Sequence, residues 1–309
     1  MKKKTLRKYS GIDQLPSGTA SDQITEGCLV LEGGAFRGVY TNGVLDALME
    51  HDLNFRTTIG VSAGSLTAMN YLSGQIGRSA RMNLRYRHDS RYVGAKAIRN
   101  NQGLIGFDFL FGRLPFIPRM DWKRFRSPER ELYAVVTNLQ TGKPEYLEKS
   151  MGEDFLTAVS ASSSMPYISM PVMLRDTPYL DGGCSCKIPY EWALAQEFPK
   201  IVVVRTRPRQ FRKKIRPDQE NRRIRMPALF YKNYPNFISA LLRSDTEYNA
   251  QCDALEILEQ QGRIFVIAPS QEVTVSRLEK DMEKLGDLYY LGYQDANAQI
   301  ENLRTYLTH

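Results

Sequence analysis

Short apolar runs followed by glycine turns, and then by apolar residues at helical spacing, set the rhythm of the first third of this chain. Cys28-Leu29-Val30-Leu31 is a continuous apolar run, as expected of a strand buried on both faces. It leads into the turn Glu32-Gly33-Gly34-Ala35-Phe36-Arg37-Gly38, after which Val39, Tyr40, Val44, Leu45, Leu48 and Met49 recur at helix spacing. The unit then repeats. Arg56-Thr57-Thr58-Ile59 reads as a strand end, Gly60-Val61-Ser62-Ala63-Gly64 as a tight turn, and 65–72 as the first turns of a helix. Two such units back to back predict a parallel α/β sheet. Further strands are predicted at 132–137, 201–204 and 264–267, and further helices at about 75–88, 153–162, 189–197, 236–260 and 275–308. The Gly-, Phe- and Pro-rich segment 101–118 has no period and reads as an ordered loop or cap over something apolar. No internal repeat or low-complexity tract is present.

The expected organisation is a polar N-terminal tail (1–26), an α/β domain (27–205), and a basic linker leading into a mostly helical region (206–309) that returns one strand to the sheet. With 42% hydrophobic residues over 309 positions the chain can bury a large core, and no stretch approaches the ~20 apolar residues of a membrane span. Lys2, Lys3, Lys4, Arg7 and Lys8 make the N-terminus basic, but no apolar segment follows, so a secretory signal is not expected. Four cysteines (Cys28, Cys184, Cys186, Cys252) form no disulfide framework or zinc spacing; buried thiols in a cytoplasmic protein are the expectation.

The net charge of +8 is uneven. Arg205, Arg207, Arg209, Arg212, Lys213, Lys214, Arg216, Arg222, Arg223 and Arg225 fall in one stretch; Arg78, Arg81, Arg85, Arg87, Arg91, Lys96 and Arg99 form a second concentration. Such a stretch suits a solvated loop or an anionic lipid surface. Without a recognition-helix, zinc-finger or RNP-type signature, no nucleic-acid partner is expected.

The chemistry centres on Ser62. A serine on a tight strand-to-helix turn has its Oγ pushed outward, and the flanking Gly60 and Gly64 avoid collisions with the neighbouring strand and helix. The adjacent helix start offers free N–H groups and a positive dipole end to a developing oxyanion. In the 33–38 turn, N–H groups at Gly34 and Ala35 could face the same oxyanion, with Arg37 ordering the loop or adding charge. A phosphate-cradling reading is weak, because the Lys-Ser/Thr ending of a P-loop is missing.

A nucleophilic serine needs a base. His51 ends a helix, His88 lies among arginines and His309 is the last residue; each fits a surface or capping role better. Asp181, in Tyr179-Leu180-Asp181-Gly182-Gly183, is presented by a turn with little steric cover and could take the serine proton directly. On its own the segment reads better as an Asx turn.

Taken together, Gly33–Gly38, Gly60–Gly64 and Asp181-Gly182-Gly183 resemble the three motifs of patatin-like phospholipases, in the family's order. Ala161-Ser162-Ser163-Ser164-Met165-Pro166 is similar to the family's Ala-Ser-rich block, and the tail from Val275 to Asp281 and on to Leu291-Gly292-Tyr293 resembles a bacterial branch. The resemblance implies a three-layer α/β/α fold with a mainly parallel central sheet and a helical C-terminal extension. It also implies a Ser62–Asp181 dyad, an oxyanion hole from the N–H groups of Gly33, Gly34 and Ala35 supported by Arg37, and hydrolysis of lipid acyl esters through an acyl-enzyme. No metal or cofactor is implied, and peripheral contact with an anionic membrane is an open expectation. Where the family usually has glycine this chain has Ala35, whose methyl group opposes a positive φ. The alternatives are a small-ester or thioester hydrolase without a membrane role, and a non-catalytic lipid- or partner-binding protein on the same fold.

Overall fold

The computed structural model describes residues 8–112, 114–215 and 226–308. Eight strands form the central sheet: β1 (Thr25–Leu31), β2 (Phe55–Val61), β3 (Glu131–Asn138), β4 (Pro144–Glu148), β5 (Val172–Leu174), β6 (Thr177–Asp181), β7 (Ile201–Val204) and β8 (Phe265–Ile267). The order is β8-β7-β1-β2-β3-β6-β5, with β4 also on β3. The first five are mutually parallel; β4, β5 and β6 run antiparallel to their neighbours, so the sheet is mixed. Strand alternation sends Leu29, Leu31, Val202 and Val204 into one core and Cys28, Val30, Ile201 and Val203 into the other. Apolar side chains are needed on both faces, which is why these strands read as unbroken apolar runs.

The first core is covered by α1 (Val39–Glu50), α2 (Ala63–Leu72), α3 (Arg78–Tyr86), α4 (Asp154–Ser162) and α7 (Met282–Asn297). The second is covered by α5 (Tyr190–Ala195) and α6 (Pro235–Gln260). A last helix, α8 (Ile300–Thr308), adds Ile300 and Leu303 to the first core. The result is the expected three layers. Strand β8 is the strand returned from the C-terminal region, paired with β7. Segment 101–118 packs Phe107, Leu110, Leu114 and Ile117 onto the first core, with a short helix at Phe107–Phe111.

Two predicted elements need correction. The helix expected over 75–88 begins only at Arg78, because Gln75–Ile76 pairs with Gly18–Thr19 and Gly77 turns with φ +74°. The helix expected over 275–308 begins at Met282, where the Asp281 carboxylate caps the N–H groups of Glu283 and Lys284, and is interrupted before Ile300. Helices α1 and α7 cross at close range: a Cβ at Gly43 or Gly292 would strike the opposite backbone, so the glycines set this contact.

Candidate active site

The sheet topology brings the two candidate residues together. On β3, residues 133–135 pair with β4 on one side and with β2 on the other, and residues 136 and 137 pair with both β4 and β6. A strand residue has only one neighbour on each side, so β2 and β6 share the same side of β3. They run toward each other and end opposite Val135 and Val136, at Val61 and Asp181. Ser62 follows directly, so the serine and the aspartate meet tip to tip.

Ser62 adopts φ +57°, ψ −122°, a strained backbone for a residue with a Cβ. The turn is held tightly. Ser62 N–H donates to Ser162 Oγ at 2.9 Å, and the Ser62 carbonyl accepts from Ser65 Oγ at 2.7 Å and Ser65 N at 3.0 Å. A Cβ on Gly60 would lie 2.6 Å from the Gly64 carbonyl carbon and the Ser65 nitrogen, and one on Gly64 would lie 2.7 Å from Leu31 O. Neither contact is tolerable, which accounts for the two flanking glycines.

Ser62 Oγ donates to Asp181 Oδ2 at 2.7 Å, and Gly183 N–H donates to Asp181 Oδ1 at 2.8 Å. Asp181 N–H donates to Ser164 O, and Thr137 Oγ1 donates to Asp181 O, both at 2.9 Å. The carboxylate is buried, and burial raises its pKa above the ordinary value. The bonds from Ser62 and Gly183 and the positive charges of Arg277 and Lys187 work against that rise.

The 33–38 turn lies beside this pair. The N–H groups of Gly33 and Gly34 donate to nothing among the described residues, and Ala35 opens a short 3-10 turn whose first N–H is free by construction. Ala35 sits at φ +51°, so its methyl group is carried in the left-handed region. The turn is anchored through Thr206 Oγ1 to Gly33 O at 3.1 Å and Phe36 N–H to Arg277 O at 3.1 Å. Arg37 is buried with its Nε unpartnered; burial, with Arg207 and Arg277 nearby, lowers its pKa to about 10. It therefore adds charge beside the turn.

Two cavities meet at Ser62. A small one of about 50 Å³ is lined by Val39, Leu66, Met82, Tyr92 and Ile105 among others. Among the described residues, only Ile105 comes from the 101–118 segment. A large one of about 880 Å³ holds Ser62, Asp181 and the 33–37 turn, with Tyr167, Ile168 and Met226 exposed in its wall. The histidines lie elsewhere: His51 Nε2 is 2.8 Å from Asn297 Oδ1, His88 Nε2 is 2.8 Å from Lys280 O, and His309 is outside the described residues.

The basic stretch behaves differently from a free patch. Arg205 is fully buried and donates to Cys252 Sγ at 3.0 Å; Arg209 pairs with Glu259, Arg212 with Asp253 and Glu256, and Lys213 with Asp245. These cations fasten the segment to α6, while Arg216, Arg222, Arg223 and Arg225 are outside the described residues. In the second concentration, Arg78, Arg81 and Arg87 donate to the carbonyls of Pro118, Pro16 and Leu278. All four cysteines are buried and free. Sequence reasoning missed Ser162, Thr206, Arg277 and Lys187 as site neighbours; Ser162, inside the Ala-Ser-rich block, and Arg277, inside the 275–281 segment, carried a local signal.

The serine and the aspartate thus meet tip to tip between glycine turns, and comparison with known proteins gives the family. The profile of the patatin-like phospholipase family matches residues 29–194, and this chain belongs to that family. A second profile, a domain of unknown function (DUF6363), matches residues 234–308. An uncharacterized protein, YjjU, of Escherichia coli (strain K12) is 30% identical over 59% of this chain and 52% of its own length. A probable lipid hydrolase, 463L, of Invertebrate iridescent virus 6 is 27% identical over 54% of this chain and 62% of its own. The chain thus spans between half and two thirds of these relatives. The crystal structure of VipD from Legionella pneumophila superposes with a TM-score of 0.52 at 14% identity, over 98% of this chain and 72% of VipD, which is a likeness of fold. No described helix is long and apolar enough to cross a membrane.

Proposed function

We propose that this protein is a serine hydrolase that cleaves acyl esters of lipids through an acyl-Ser62 intermediate, with Asp181 as the base. The observation that carries the reading is the 2.7 Å bond from Ser62 Oγ to an aspartate whose other oxygen is fixed by Gly183. As Ser62 Oγ attacks the ester carbonyl carbon, its proton passes to Asp181. The negative charge that develops on the carbonyl oxygen faces the N–H groups of Gly33, Gly34 and Ala35, with Arg37 adding positive potential. Collapse of the tetrahedral adduct breaks the ester C–O bond, and the leaving alkoxide takes the proton back from Asp181. Water then gives a proton to Asp181 and attacks the acyl carbon; collapse breaks the bond from the acyl carbon to Ser62 Oγ, Oγ takes the proton from Asp181, and the fatty acid leaves.

A raised pKa suits this role, because a more basic carboxylate takes a hydroxyl proton more readily. The small apolar cavity accepts the start of an acyl chain, and the large one has the size of a ligand site. Tyr167, Ile168 and Met226 form an exposed apolar lip on that cavity, with Phe230 packed edge-on against Tyr167 at 5.6 Å. This lip supports peripheral contact with a lipid surface. The catalytic unit in this reading is 27–205, with 206–309 packed against it as brace and cavity wall.

The test is ester turnover across p-nitrophenyl chains of increasing length and on phospholipid vesicles. Longer chains are expected to turn over faster than acetate, and Asp181→Asn to slow turnover at least about 100-fold. Wild-type rates retained by Asp181→Asn would remove the aspartate from the reaction. A profile that falls with chain length would favour the small-ester alternative.

A further inference from the structure

The large cavity beside Ser62 holds more positive charge than its own carboxylates answer. Its wall presents Arg37, Lys187, Arg207, Lys213, Lys214 and Arg277 against Glu32, Asp181 and Asp245. Those acids are already engaged. Glu32 accepts from Tyr248 Oη at 2.8 Å and Thr206 N at 2.6 Å, Asp181 holds Ser62 and Gly183, and Asp245 holds Lys213 Nζ at 2.6 Å.

The arginines are left short of partners. Arg37 is only 9% exposed, and its Nε has no hydrogen-bond partner. Arg207 gives one N–H to Val273 O at 2.9 Å but buries an unpartnered Nε. The Arg277 guanidinium, exposed in the cavity wall, donates to no group among the described residues. Arg207 and Arg277 each disfavour the charge on Arg37, and Lys213 disfavours that on Lys187, whose pKa burial pulls down to about 8. A buried cation such as Arg37 is expensive unless an anion compensates it. Guanidinium groups offer planar paired donors that match a phosphate.

We propose that Arg207 and Arg277, with Arg37 behind them, form a subsite for a phosphate monoester on the acyl lipid that Ser62 cleaves, so that the preferred substrate is a phosphatidic-acid-type lipid over a zwitterionic one. This rests on the reading of Ser62 as the nucleophile. A phosphate monoester carries close to two negative charges at neutral pH, whereas a phosphocholine headgroup carries one negative and one positive charge and returns part of the gain. Arg207 and Arg277 lie on the segments just after β7 and just before α7, so the C-terminal region completes the cavity.

The experiment uses the full chain carrying Ser62→Ala, which binds without turnover, and calorimetric titration with dihexanoyl phosphatidic acid, dihexanoyl phosphatidylcholine and inorganic phosphate. The phosphatidic acid is expected to bind at least tenfold more tightly than either other probe. Arg277→Gln should weaken its binding about tenfold. Arg207→Lys, which keeps the charge, should retain more binding than Arg207→Gln. Equal affinity for the two lipids, or selectivity unchanged in both Gln variants, would overturn the proposal. Inorganic phosphate binding as tightly as the lipid would also overturn it, because the site would then serve a free anion. The two readings fail separately. Selective binding by Ser62→Ala, with no ester turnover by wild type, would sink the hydrolase reading and leave the subsite standing; turnover without selectivity would do the reverse.

Discussion

Ala35 stands at φ +51° in the turn that faces Ser62, and replacing it with glycine separates backbone strain from side-chain packing. For an L-residue with a Cβ, the left-handed region costs about 1–2 kcal/mol. Glycine removes that cost but loses about 0.5–1 kcal/mol through the greater freedom of the unfolded chain. The methyl group is half-buried between the two cavities, so its removal forfeits roughly 0.4 kcal/mol of the ~0.8 kcal/mol of a fully buried carbon. The terms leave Ala35→Gly between a loss of about 0.4 kcal/mol and a gain of about 1 kcal/mol. At an ordinary helical position the same change has the opposite sign. Ala47→Gly, in the middle of α1 and fully buried, is the control and should cost at least about 1 kcal/mol. Urea denaturation of the three proteins reads both numbers as shifts in midpoint at constant slope. A loss of more than about 1 kcal/mol in Ala35→Gly would mean that the methyl group is a packing contact and that the turn is not strained there.

Other expectations follow from the same geometry. Gly60→Ala should destabilise the fold by about 3 kcal/mol or more, because its Cβ meets the backbone of the next turn at 2.6 Å; a melting temperature within a few degrees of wild type would contradict this. Arg205→Met should cost at least about 1 kcal/mol in chemical denaturation, since it removes one of the positive charges near the buried Glu32, beside Arg37 and Arg207; a neutral or stabilising result would show that the remaining charges, Tyr248 and Thr206 suffice for Glu32. Ester hydrolysis needs ionised Asp181, so activity should fall as pH drops through a pKa raised above the ordinary ~3.9. Arg277→Gln removes one of the charges that oppose this rise and should move the acid limb of the kcat/KM profile upward; an unmoved limb would detach Arg277 from Asp181.

The parts of the molecule visible in the sequence were those where one local rule acts alone. The strands at 28–31, 132–137 and 201–204 read cleanly because both of their faces are buried. Ser62 and Asp181 stood out because tight turns demand glycines next to them. Strand β4 gave no signal, since its five residues are all half-buried, and β5 is too short for a period to show. The meeting of β2 and β6 along one side of β3 is a long-range event between Val61 and Asp181 that no local pattern records. The pairing within the arginine run is hidden for the same reason: the partners of Arg209 and Lys213 lie on α6, at Glu259 and Asp245. The late start of the C-terminal helix could have been read from Asp281, whose carboxylate caps the helix that follows.

The central claim is that Ser62 is a nucleophile activated by Asp181. The most direct test is reaction of the folded protein with a fluorophosphonate, followed by intact-mass and peptide mapping. One adduct per chain, located on Ser62, absent from Ser62→Ala and formed much more slowly by Asp181→Asn, is the predicted result. An adduct that persists in Ser62→Ala, or no adduct on the folded wild-type protein, would contradict the account.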